Sequence, residues 1–154
     1  KSLGWASSPF VVQKEKGAYV WLDMARECAR YGVPWKMPTT FPRGSVLGHR
    51  LAIAAAGEPW LEAYCRAMFL RNFAHDQEIE GVDAASAALA SIGQHSGIWI
   101  ERATSEEVKL RLRNQTEEAR EKGIFGAPTF FVGTEMFWGN DRLEQALERA
   151  RTVK

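Results

Sequence analysis

Two stretches near the end of the chain hold residue types that could do chemistry: Gly126-Ala127-Pro128-Thr129 and Gly139-Asn140-Asp141-Arg142. The first lies just before a β-type run. An X-Pro bond between a glycine-led turn and a strand is a natural place for a cis peptide. A turn of that kind points the carbonyl and N–H of Ala127 outward, free to pair with an extended ligand as a strand would. The second stretch stands at a predicted helix start, where unpaired N–H groups and the positive end of the dipole receive a carboxylate. The Asp141 carboxylate could bind an ammonium beside it. A ligand with both groups on one carbon, an α-amino acid head, would suit this turn. The plain alternative is N-capping by Asn140 or Asp141.

Other constellations are missing. Cys28 and Cys65 are the two cysteines and form no C-x-x-C, so neither a redox pair nor a zinc knuckle can be read. Each falls on the apolar stripe of a predicted helix and reads as a small core hydrophobe. His49, His75 and His95 lie in different segments without H-E-x-x-H spacing, and there is neither a G-x-S-x-G nor a Gly-rich phosphate loop. Between Val33 and Ser45, Pro34, Pro38 and Pro42 exclude a continuous helix. The charged Lys36 and Arg43 in that loop either line a site or are solvated. A net charge of +1 argues against a nucleic-acid surface. The longest strongly apolar stretch, Leu51 to Ala56, is far too short to span a bilayer.

The elements that must position these residues follow from periodicity. Lys1 to Val12, with Ser7-Ser8-Pro9, reads as a loop. Ala18, Trp21, Leu22, Ala25, Cys28 and Ala29 repeat at helical spacing and predict a helix from Lys14 to Tyr31, capped by Gly32. A second helix is expected over Ser45 to Ala56. A third starts at Pro59 with Leu61, Tyr64, Cys65, Met68 and Phe69 as its buried stripe. An Ala-rich helix around Ala84 to Ala90 and a shorter one near Ile98 to Ala103 come next. Thr104-Ser105-Glu106-Glu107 fits a capping box with Thr104 as N-cap, opening a helix whose Val108, Leu112, Gln115 and Ala119 share a face. Its arginines alternate with glutamates, the pattern of an ion-paired, solvated surface. The period then changes. Thr129–Val132 and Glu135–Trp138 flank Gly133-Thr134 and predict a hairpin, followed by a helix carrying Leu143, Ala146, Leu147 and Ala150.

The run from Gly123 to Val132, together with Glu135-Met136-Phe137-Trp138-Gly139-Asn140-Asp141-Arg142-Leu143, resembles the C-terminal signature of the 2-hydroxychromene-2-carboxylate isomerases. These stand with the kappa-class glutathione transferases and the DsbA-like thioredoxin superfamily. Lys16-Gly17-Ala18-Tyr19, Tyr31-Gly32-Val33-Pro34, Phe41-Pro42 and the segment Glu107 to Ala119 extend the likeness over nearly the whole chain. The resemblance implies an α/β, thioredoxin-like fold, N-terminally incomplete here, with a large inserted helical domain. Residues 1–12 would be a loop, 13–103 the helical insertion, and 104–154 the C-terminal part of the thioredoxin-like domain.

The implied cofactor is glutathione, its cysteinyl part on the backbone at Ala127 and Pro128 and its γ-glutamyl head at Asn140 and Asp141. Lys36, Arg43 and Ser45 are the implied contacts to a small aromatic acid. The implied reaction interconverts 2-hydroxychromene-2-carboxylate and trans-o-hydroxybenzylidenepyruvate in the catabolism of naphthalene-type aromatics. A cytoplasmic location follows from the same likeness, with neither nucleic acid nor membrane as partner and a homodimer left open. A kappa-class transferase or a DsbA-like thiol-disulfide oxidoreductase is the alternative, and a non-catalytic binding module the second. Two departures stand out. The family's β-α-β unit, with the serine that faces the glutathione sulfur, has no match, since no apolar strand precedes Ser7-Ser8-Pro9. That serine, and with it the natural start of the protein, is expected upstream of Lys1, and the chain alone is expected to turn over little. Gly44 stands where the family usually has Asn.

Overall fold

The computed structural model describes residues 13–153, so the expected loop over 1–12, with Ser7-Ser8-Pro9, lies outside the described residues. Among the described residues six helices come first: α1 Lys14–Tyr31, α2 Val46–Ala54, α3 Leu61–Phe73, α4 Gly81–Ser91, α5 Ser96–Thr104 and α6 Glu106–Glu121. A hairpin of β1 Thr129–Val132 and β2 Glu135–Trp138, a 3-10 turn Asn140–Arg142 and α7 Leu143–Thr152 complete the chain. It divides into two compact units, one ending at Arg113 and one beginning at Asn114.

In the first unit the core is a cluster of Leu51 and Ala54 from α2, Tyr64 from α3, Ala85, Ala88 and Leu89 from α4, Ala103 from α5 and Val108 from α6. The alanines explain why these short helices hold together, because small side chains let backbones approach while Leu51, Leu89 and Tyr64 fill what remains. A fully buried leucine adds about 1.5–3 kcal/mol of burial free energy. Trp60 and Trp99 pack edge to face, with centroids 4.7 Å apart, beside this cluster.

Several expectations need correction. Phe69 is 66% exposed, although helical spacing puts it on the stripe of Tyr64 and Met68. Periodicity marks a face, and no described element covers that end of it. On α1, Trp21, Ala25 and Cys28 are half-buried whereas Ala18, Leu22 and Ala29 are exposed, so its predicted stripe is only partly used. Gln115 likewise faces out from α6. Pro59 falls in the turn ahead of α3, two residues before its first helical residue. The N-cap of α6 is Ser105 and not Thr104. The Thr104 hydroxyl donates to the carbonyls of Ile100 and Glu101, both at 2.9 Å, within α5. Ser105, with an extended backbone, accepts the Val108 N–H at 3.3 Å. A preceding helix gave Thr104 rival acceptors, and the cap moved on by one residue.

In the second unit the hairpin is antiparallel, with Thr129 opposite Trp138 and Val132 opposite Glu135. Gly133-Thr134 make the two-residue turn, Gly133 at φ 60°. α7 packs on both strands and buries Ala146. An Arg149 Nε–Glu135 Oε2 bond of 2.7 Å ties the helix to β2.

Candidate functional site

The hairpin register does the positioning in the second unit. A two-residue turn that sets Thr129 against Trp138 also sets Pro128 against Gly139 one step further out. The Gly139 N–H donates to the Pro128 carbonyl at 3.0 Å. The two stretches singled out in the sequence are therefore joined at the open end of one hairpin. The Ala127-Pro128 bond is cis. Thr129 Oγ1 donates to the Gly126 carbonyl at 2.6 Å and closes the turn before β1. Ala127 is exposed, and its N–H and C=O have no partner among the described residues. They are the pair of backbone groups a strand-like ligand would use.

Across from them, Gly139 at φ 111°, ψ 151° leads into the 3-10 turn and then α7. A Cβ on Gly139 would strike Asp141 Oδ1, so the absence of a side chain lets that carboxylate fold back over the turn. Asp141 is solvent-facing and pairs with Arg142 Nη1 at 3.0 Å. The positions that cap the 3-10 turn and α7 are Gly139 and Arg142, and neither makes a side-chain cap bond. Phe125 meets Trp138 edge to face at 4.8 Å and walls this end of the hairpin with apolar surface.

In the first unit the proline loop and α3 enclose a cavity of about 350 Å³, lined by Phe41, Arg43, Ser45, His49, Cys65 and Asn72 among others. The Phe41-Pro42 bond is cis, and Phe41 packs edge to face on Trp21 at 4.7 Å. Arg43 is almost wholly buried. Its Nη1 donates to Asn72 Oδ1 at 2.7 Å and its Nη2 to Asp76 Oδ1 at 2.6 Å. Asp76 also accepts the Thr39 N–H at 2.9 Å and its hydroxyl at 3.1 Å, with Lys36 Nζ 3.5 Å from Oδ2. The Arg43 guanidinium first, then the Thr39 donors and Lys36, hold the Asp76 carboxyl well below the usual carboxylate range.

Lys36 and Arg43 are thus brought together on one acidic anchor. Sequence reasoning missed Asp76 and Asn72. The available signal was an aspartate just past α3, a residue type that accepts the positive φ of 53° found there. Ser45 Oγ stands 3.4 Å from His49 Nδ1 at the cavity edge. A Cβ on Gly44 would meet the Glu80 carboxylate, so the asparagine that the resemblance leads one to expect could enter only if Glu80 moved.

Neither cysteine is activated. Both are free and half-buried; burial pushes both thiols up, and the Glu27 charge adds to this at Cys28. A thiol shifted that way is a poor nucleophile at neutral pH. Among the described residues no three His, Cys, Asp or Glu side chains gather as a metal site. No helix among them is long and apolar enough to cross a membrane.

Comparison with known proteins bears on the family and the fold. The DSBA-like thioredoxin domain family matches residues 3–150. The chain is 28% identical over 122 residues to a 2-hydroxychromene-2-carboxylate isomerase of Sphingobium xenophagum, covering 79% of this chain and 62% of that protein. It is 28% identical over 155 residues to glutathione S-transferase kappa 1 of Rattus norvegicus, covering 90% of this chain and 67% of the other. A solved structure of 2-hydroxychromene-2-carboxylate isomerase superposes with a TM-score of 0.83 at 26% identity, over 97% of this chain and 72% of that one. The chain thus spans about three-fifths of the length of the first curated relative. The fold is the DsbA-like thioredoxin type, mostly helical with a small sheet, as the resemblance implied.

Proposed function

The chain belongs to the DSBA-like thioredoxin domain family, and from that premise we propose that it acts as a glutathione-dependent isomerase of 2-hydroxychromene-2-carboxylate and trans-o-hydroxybenzylidenepyruvate in aromatic catabolism. The observation that carries this reading is the Gly139-to-Pro128 bond, which sets the open backbone of Ala127 beside the Asn140-Asp141 turn. That turn fits a γ-glutamyl-cysteinyl ligand in kind. Ala127 offers one donor and one acceptor to the cysteinyl backbone, the start of the 3-10 turn offers N–H groups to a carboxylate, and Asp141 offers an anion to an ammonium.

When bound, glutathione would supply the thiolate that adds reversibly to the conjugated substrate. The chain's own residues do the holding. Ala127 and Pro128 orient the peptide edge, while Asn140 and Asp141 fix the amino-acid head. Fixing the ligand in this way turns a bimolecular encounter into an oriented one. In the helical unit, Arg43 and Ser45 take the aromatic acid at the 350 Å³ cavity they line, and Lys36 adds its charge from the far side of Asp76. Arg43, its charge largely answered by Asp76, serves as a rigid wall with a polar edge. Residues 13–103 act as the helical insertion and 104–154 as the C-terminal part of the thioredoxin-like domain. A cytoplasmic place belongs to the same proposal.

Calorimetric titration of glutathione against the chain and its Asp141→Ala form tests the site. Loss of one charge-assisted contact of about 1.5–3 kcal/mol weakens binding roughly tenfold to a hundredfold. An unchanged affinity overturns the assignment. The likeness to the rat kappa enzyme supports a transferase as the second reading. Product analysis with an electrophilic aromatic substrate separates the two, because a transferase leaves a glutathione conjugate and an isomerase returns free glutathione.

A further inference from the structure

A second cavity, of about 440 Å³, opens between α2 and α6, lined by Arg50 from α2 and by Glu106, Lys109, Leu110, Leu112 and Arg113 from α6. Three cationic side chains face one carboxylate there. Lys109 Nζ donates to Glu106 Oε1 at 2.6 Å. That bond and the Lys109 charge, joined by the charges of Arg50 and Arg113, hold the Glu106 carboxyl below its ordinary value. Arg50 and Arg113 form no hydrogen bond or ion pair among the described residues, and Arg50 Nε is buried with no acceptor. Native proteins pair nearly all such donors, so a buried guanidinium N–H without a partner beside a cavity calls for an acceptor that enters it. Elsewhere on α6 the cations are answered: Arg111 lies 3.9 Å from Glu107, and Arg120 pairs with Glu117. The excess of positive charge is local to this cavity.

We propose that the cavity between α2 and α6 binds a small dianionic oxyanion, a phosphate or a dicarboxylate, through Arg50 and Arg113, with Lys109 shared between the ligand and Glu106. The guanidinium fork matches two oxygens of one oxyanion, and the excess of two positive charges matches a dianion. Leu110 and Leu112 give the ligand a partly apolar wall. This site lies wholly in the helical unit and does not rest on the isomerase reading.

Titration calorimetry of the chain with inorganic phosphate at pH 8, and separately with succinate, at ionic strength held constant with sodium chloride, tests it. Saturable binding of at least one anion is expected, and which one binds tells phosphate from dicarboxylate. Arg50→Gln and Arg113→Gln each weaken that binding tenfold or more. Glu106→Gln, which removes the competing carboxylate, tightens it severalfold. Arg113 and Glu106 are exposed, so these two variants decide the matter even where Arg50→Gln fails to fold. Absence of saturable binding of either anion overturns the proposal. So does an affinity that Arg113→Gln and Glu106→Gln leave unchanged.

Discussion

Replacing Gly139 by alanine tests how tightly the hairpin end is built. Gly139 sits at φ 111°, ψ 151°, a region essentially closed to residues with a side chain, and its new Cβ would strike Asp141 Oδ1. The backbone penalty is about 1–3 kcal/mol, and the exposed Asp141 side chain can swing clear of the new Cβ at little further cost, so the loss is about 1–3 kcal/mol. Against a total stability of roughly 5–15 kcal/mol that is a large fraction. Gly133→Asn is the matched control. Gly133 also has a positive φ, 60°, but a Cβ there meets nothing within 4 Å, and asparagine accepts that conformation. Its change stays within about 1 kcal/mol. Urea unfolding followed by far-ultraviolet circular dichroism measures both, and glutathione titration of the folded variants reads the site. Gly139→Ala should lose both stability and affinity. Equal stability in the two variants, or full affinity in Gly139→Ala, would refute the reasoning about this turn.

Three further outcomes follow from the same structure. Asp76 has a folded-state pKa depressed mainly by Arg43, so its contribution is present above the unfolded aspartate value of about 3.9 and is lost as pH falls through the folded one. Urea midpoints measured from pH 5 downward should therefore drop for the native chain and run flatter for Asp76→Asn; parallel curves would contradict the anchor. Ser105→Ala should cost about 1 kcal/mol in thermal unfolding as a lost N-cap, while Thr104→Ala, whose exposed hydroxyl only bonds back into α5, costs less. The reverse order would restore Thr104 as the cap. With both thiols shifted upward, Cys28 and Cys65 should react with iodoacetamide at pH 7 more slowly than free cysteine, and a faster rate would revive the oxidoreductase alternative.

Local signals carried the second unit well. The two-residue turn at Gly133-Thr134 fixes the pairing, and the pairing alone puts Pro128 opposite Gly139. The union of the two candidate stretches was therefore implicit in the spacing. What stayed hidden depended on contacts distant in the chain. Arg43 and Asp76 meet across 33 positions, and no periodicity announces a pair of that kind. The exposure of Phe69 was hidden for the same reason, because a stripe shows which side of a helix is apolar and not whether another element arrives to cover it. The shift of the cap from Thr104 to Ser105 is a competition between neighbours: two helices share one boundary, and the threonine hydroxyl took the carbonyls behind it.

The central claim is that Ala127 and the Asn140-Asp141 turn together hold glutathione. Backbone amide spectra of the isotopically labelled chain, recorded as glutathione is added, test it residue by residue. Saturating shifts concentrated at Ala127, Gly139, Asn140 and Asp141 are predicted, with the shift at Ala127 reporting its N–H taking an acceptor. Saturation with those four amides unmoved, or the absence of any saturating change, would contradict it.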